Sequence, residues 1–110
     1  MAETLKILGQ QMPTSTANVN LYTVPSATSA VISSLVIANV SNGSANARVF
    51  VRAAGAAAAT SNAIAYDVPI AADSILALTL GITIAATDII TVQSSVASAL
   101  TFHAFGSEIA

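Results

Sequence analysis

Apolar residues along this chain come in short runs with a period near two, and small polar or turn-forming residues break each run before it grows long. From Asn18 to Val24 (NVNLYTV), Val19, Leu21 and Thr23 alternate with Asn20, Tyr22 and Val24, and Pro25 ends the run. That alternation predicts a half-buried strand, because successive side chains of an extended backbone point to opposite faces. The stretch Ala30–Ala53 (AVISSLVIANVSNGSANARVFVRA) places an apolar arm, Val31 to Val40, and a second arm, Val49 to Val51, on either side of Asn42-Gly43. Asn-Gly between two apolar runs predicts a β-hairpin, since both residues tolerate positive φ. The four alanines Ala56–Ala59 have helix propensity, but Gly55 before them and Thr60-Ser61-Asn62 after them leave room for a loop with at most one helical turn.

Further strands are predicted at Ala63–Tyr66, at Ile75–Leu80 with a bend at Gly81 before Ile82–Ile84, at Ile89–Val92 and at Leu100–Phe105. Leu76, Leu78 and Leu80 share one face and Ala77 and Thr79 the other; Leu100, Phe102 and Ala104 alternate with Thr101, His103 and Phe105. About eight short strands with turn signals at regular intervals read as all-β. The expected architecture is an antiparallel β-sandwich, jelly-roll-like, with an immunoglobulin-like sandwich as the alternative. Residues 1–20 read as an N-terminal arm and link and residues 21–110 as a single sandwich domain. Leu5, Ile7 and Leu8 make the arm too apolar for a free tail and mark it for docking on a neighbouring subunit.

Composition changes this picture in one respect. Of 110 residues, 55% are hydrophobic and 7% charged, where ordinary soluble domains carry about 25% charged residues. Apolar surface that a monomer cannot hide is covered by association, so a homo-oligomer is expected. No apolar run reaches the roughly 20 residues of a spanning helix, and the N-terminus MAETLKILGQQMPTST lacks the layout of a secretory signal, so no membrane insertion is expected. Only Lys6, Arg48 and Arg52 are positive and the formal net charge is −2, which gives no footprint for nucleic acid.

Candidate chemistry is sparse. There is no cysteine, and His103 is the single histidine, without a partner that spacing would single out. Asp67, Asp73 and Asp88 each stand beside turn signals and read as ligands of local backbone, with no Asp-x-Asp arrangement for calcium. No phosphate-binding glycine loop occurs. Catalytic, metal-binding and cofactor-binding residues are therefore not assigned, and no enzyme is expected. Arg48 and Arg52, four apart with Phe50 between them, share one strand face and are interface candidates, since a guanidinium pairs bidentately with carboxylates.

The segments LYTVP (Leu21–Pro25), RVFVRAAG (Arg48–Gly55), IAYDVPIAADS (Ile64–Ser74), LTLGITIAATDIITVQSS (Leu78–Ser95) and FHAFGSEI (Phe102–Ile109) together resemble a group of small tailed-bacteriophage virion proteins. The resemblance runs from Leu21 to the end of the chain. It implies a structural component of the virion, assembled in the host cytoplasm. The role it favours is a capsid decoration (cement) protein that forms trimers on the major capsid protein. A tail, baseplate or fibre subunit is the alternative, and a carbohydrate-binding attachment module, for which the chain has few aromatic residues, stands behind both. The resemblance brings no catalytic motif with it.

Overall fold

The computed structural model describes residues 3–79 and 81–110. The strands in chain order are β1 (Glu3–Gln11), β2 (Val19–Thr23), β3 (Ser29–Asn39), β4 (Ala45–Arg52), β5 (Ala63–Ile70), β6 (Ile75–Leu78), β7 (Ile82–Ile84), β8 (Ile89–Ser94) and β9 (Leu100–Ile109). One sheet has the order β1-β9-β3-β6, with β7 also paired to β3; the other has the order β2-β8-β4-β5. All these pairings are antiparallel.

Taking β6 and β7 as one interrupted strand leaves eight positions in two four-stranded sheets, the double Greek key of a jelly roll. The immunoglobulin-like alternative is excluded by this order, because that fold groups its strands differently. Apart from β4–β5 and the β6–β7 interruption, every connection carries the chain from one sheet to the other. Consecutive strands therefore face each other across the core more often than they lie side by side.

That topology overturns the hairpin expected over Ala30–Ala53. β3 belongs to the first sheet and β4 to the second, and Asn42-Gly43 lies in the corner that joins them. The corner is tied by Asn39, whose side-chain nitrogen donates to the carbonyls of Gly43 and Ile70, both at 2.9 Å, while its oxygen accepts from Ser41 N and Ser41 Oγ. Asn39 is 3% exposed, and these bonds are what allow a polar side chain to sit where the sheets meet.

The core lies between the sheets. Ile32, Leu35 and Ile37 of β3 and Leu100, Phe102 and Ala104 of β9 meet Ala47 and Val49 of β4 and Ile90 and Val92 of β8. The alternation expected over Leu100–Phe105 is present, and Leu76 and Leu78 pack against the core while Ile75 and Ala77 face outward. Leu80 lies outside the described residues. In β2 the strict alternation fails: Leu21, Tyr22 and Val24 are all buried. A register break between Asn20 and Tyr22 turns both Leu21 and Tyr22 inward. The alanine run Ala56–Ala59 is irregular and is flanked by single 3-10 turns at Ala53–Gly55 and Thr60–Asn62.

The segment read as an arm is woven into the sandwich. Glu3–Gln11 pairs along its length with β9, so residues 3–11 are the edge strand of a sheet. Close packing holds it there: a Cβ on Gly9 would collide with the Leu21 carbonyl of the opposite sheet.

Candidate functional site

Sequence points to two surfaces, one around Arg48, Phe50 and Arg52 and one around Leu5, Ile7 and Leu8. The first lies on the outer face of β4 and is already occupied by the chain itself. Arg48 Nε and Nη2 bond Asp67 Oδ1 and Oδ2 at 2.6 and 3.1 Å, and Nη1 reaches Gln93 Oε1 at 3.3 Å. The guanidinium lies 4.1 Å from the centroid of the Tyr66 ring, a cation–π contact. The Arg48 hydrogen bond holds the Asp67 carboxyl below its usual range and raises Arg48 in turn. Asp67 can reach because the backbone of β5 turns through it at φ 54, where β4–β5 pairing loses register.

Phe50 is 4% exposed yet stands outside the central core. It packs edge-on against Tyr66 with ring centroids 6.4 Å apart. Arg52 donates to the carbonyls of Ala56 and Gly55 at 2.6 and 3.2 Å, and to Asn20 Oδ1 and Thr91 Oγ1. It thereby pins the excursion between β4 and β5 to the sheet. A second clamp comes from Asp88, whose two oxygens accept from Ala54 N and Ala85 N, both at 2.8 Å. Two shallow hollows of about 160 and 350 Å³ share Arg48 and Gln93 as lining. The polar groups that converge there bond one another: Gln93 Nε2 donates to the Thr16 carbonyl at 2.7 Å while its oxygen accepts from Arg48.

The second surface is the outer face of the β1-β9-β3-β6 sheet. Register aligns its side chains in rows: Leu5–Ser107–Val31, Ile7–Phe105–Ser34, Gln10–His103–Val36–Ala77, and Thr101–Ala38–Ile75. Leu5 is 80%, Ile7 55% and Ile75 67% exposed. Leu8, expected with Leu5 and Ile7, is instead 9% exposed and belongs to the core, because successive residues of a strand face opposite sides and Ile7 takes the outer one. Across the five strands of this sheet the charged residues are Glu3, Lys6 and Glu108. Lys6 and Glu108 pair with each other at 3.0 Å, and Glu108 also accepts from Tyr22 Oη at 2.5 Å, which bridges the two sheets. These two bonds, Tyr22 first, hold Glu108 below its usual range, and burial beside that carboxylate pushes the Tyr22 phenol well above its own.

His103 sits on this face with its ring parallel to Phe105, centroids 6.2 Å apart. Gln10 Nε2 approaches its Nδ1 at 3.1 Å and Thr101 Oγ1 its Nε2 at 3.3 Å. Those partners are an amide and a hydroxyl, so the imidazole has no carboxylate to orient it as a base. Among the described residues, no group of three or more His, Asp or Glu side chains could hold a metal ion, and no helix is long and apolar enough to cross a membrane.

The chain matches no protein-family model and no curated protein. Solved structures do resemble it. A chain from the structure of infectious bursal disease virus, Gx strain, superposes with a TM-score of 0.52 over 97% of this chain at 15% identity. A chain from the Gt strain of the same virus gives 0.47 over 96% at 11% identity. This chain spans about a third of those viral chains, 31% in each case. The fold is one that a virus particle also uses.

Proposed function

We propose that this protein is a non-enzymatic structural subunit of a virus particle, covered in its working state by other subunits, and that it serves as a decoration (cement) protein on the head of a tailed bacteriophage. The observation that carries the reading is the outer face of the β1-β9-β3-β6 sheet: four cross-strand rows of Leu, Ile, Val, Phe and Ala with Ser, Thr, Gln10 and His103, whose sheet contributes three charged residues, two of them paired with each other. A face of that composition gains free energy when another surface covers it. The jelly-roll strand order and the likeness to a chain of a virus structure support the particle context, and the resemblance of Leu21–Ile109 to phage virion proteins supports the head-decoration role. In this reading the partners are copies of the same chain, as a trimer, and the major capsid protein.

Deleting residues 1–11 is no test of attachment, because it removes a whole edge strand together with Leu8 of the core and the Lys6–Glu108 pair. The informative experiment adds purified protein to undecorated heads and measures occupancy by electron microscopy. Regular, saturable density on the shell is the expected result. Density confined to the tail or baseplate would reassign the protein to the alternative role, and no association with particles at all would overturn the reading.

A further inference from the structure

Sheet edges are templates for further pairing, because their outer backbone groups have no partner within the sheet. Three edges of this sandwich are blunted. β5 carries Pro69, turns through Asp67 at φ 54 and loses register twice against β4. β2 is five residues long and has a register break of its own. The β6/β7 edge is divided by the turn at Gly81, φ 63, into pieces of four and three residues. β1 differs from all of them: its regular stretch Glu3–Ile7 pairs residue for residue with Ile109 to Phe105 on one side, and among the described residues no strand lies on its other side. Its outward side chains Leu5 and Ile7 are among the most exposed large apolar residues of the chain.

We propose that β1 of one copy pairs antiparallel with β1 of a second copy, joining their two β1-β9-β3-β6 sheets into one continuous sheet across a two-fold axis at Leu5. The strand suits itself as a partner in sequence and charge. The self-pairing that uses every residue of Glu3–Ile7 sets Leu5 opposite Leu5, Thr4 opposite Lys6 and Glu3 opposite Ile7, so that Leu5 and Ile7 of both copies gather on one outer face. Moving the axis to Lys6 would place two ammonium groups directly opposite each other, which disfavours that register. Glu3 and Lys6 cancel within the strand and the whole chain carries only −2, so two copies meet little repulsion. A ladder this short buries less than the roughly 1,200 Å² of a stable stand-alone interface, and it gains strength where many copies are held together. The proposal rests on the reading of the chain as an assembling subunit; a two-fold contact cannot lie within a three-fold ring, so it joins copies that belong to neighbouring trimers.

The chain has no cysteine, so Leu5→Cys introduces a single thiol. Ile75→Cys, at a comparably exposed position on the opposite edge of the same sheet, is the control. Under mild oxidation, Leu5→Cys is expected to form interchain disulfide about tenfold faster than Ile75→Cys, because pairing raises the effective concentration of the two thiols. In the wild-type protein, amide exchange in β1 slows as concentration rises, and in Leu5→Lys, which remains folded, it does not. Equal disulfide rates together with concentration-independent exchange overturn the proposal. A Leu5→Cys protein that cross-links no faster than the control but still decorates heads refutes the edge pairing without touching the decoration reading. Preferential cross-linking without head binding has the opposite meaning.

Discussion

On the outer face of the β2-β8-β4-β5 sheet, Arg48 and Arg52 are tied to Asp67, Gln93, Thr91 and the carbonyls of Gly55 and Ala56, and the excursion between β4 and β5 folds back over Phe50. Among the described residues, nothing covers the outer face of the β1-β9-β3-β6 sheet in this way: Leu5, Ile7 and Ile75 stand in the open, and the Lys6–Glu108 pair at its end is turned toward Tyr22 of the other sheet. All three cations of the chain thus hold its own loops and ends. The difference teaches where a chain with so few charges can be joined to others. One face is largely closed by its own residues, and the other is left nearly uncharged and largely apolar, so the second would gain more by burial against another surface.

Truncating one side chain on each face tests that contrast most directly. Phe50→Ala removes a buried ring from beneath Tyr66 and is expected to destabilise the fold by about 3 kcal/mol, read as a lowered urea midpoint. Leu5→Ala, at the most exposed large apolar side chain among the described residues, is expected to change the midpoint by less than about 0.5 kcal/mol while reducing self-association in sedimentation. Equal effects of the two substitutions on stability would break the distinction between a covered and an uncovered face.

Between the faces stands the Asn39 corner. Asn39→Ala removes the side-chain donor to the Ile70 carbonyl, leaves Gly43 only the Ser41 hydroxyl, and is expected to cost about 2 kcal/mol. The same corner shows what could be read in advance. Alternation in Leu100–Phe105 identified which side chains point inward, because within one unbulged strand that property is local. Whether Asn42-Gly43 closes a hairpin or turns a corner depends on which strand lies beside β3, and β9, sixty residues later in the chain, takes that place. Two further features stayed hidden: reading residues 1–20 as an arm rather than a strand left Leu8 on the same surface as Ile7, where alternation in β1 puts it in the core, and a bulge in β2 buried Leu21 and Tyr22 together. The pairing of Arg48 with Asp67, rather than with another available acid, follows from the broken β4–β5 register, which no short-range pattern encodes.

A smaller effect is expected from Arg52→Ala. The side chain is partly exposed, and its loss frees the carbonyls of Ala56 and Gly55 to bond water, so the cost should be about 1 kcal/mol. The local consequence is larger than the global one: amides and peptide bonds in residues 53–62 should exchange and be cleaved faster, while those of β3 and β9 are unaffected. Uniform loosening of both sheets would mean that Arg52 does more than fasten the excursion.

Acid separates the two faces by the smallest and most specific margin. Glu108 and Asp67 both titrate below their ordinary values of 4.5 and 3.8, so between those values and their folded ones the unfolded chain binds more protons than the native chain. Each therefore contributes stability that is fully present above the ordinary carboxylate range and is lost as pH falls through the depressed value. The screening differs. Asp67 and Arg48 lie in the open, so their share should fade in about 0.5 M salt, whereas Glu108, with 16% of its side chain exposed and a bond from Tyr22, should keep most of its share. Glu108→Gln is expected to flatten the acid limb of stability measured in high salt, and Asp67→Asn to flatten only the part seen in low salt. If both substitutions act alike at both salt concentrations, the bridge between the sheets is no better shielded than the ion pair on the outer face of β4.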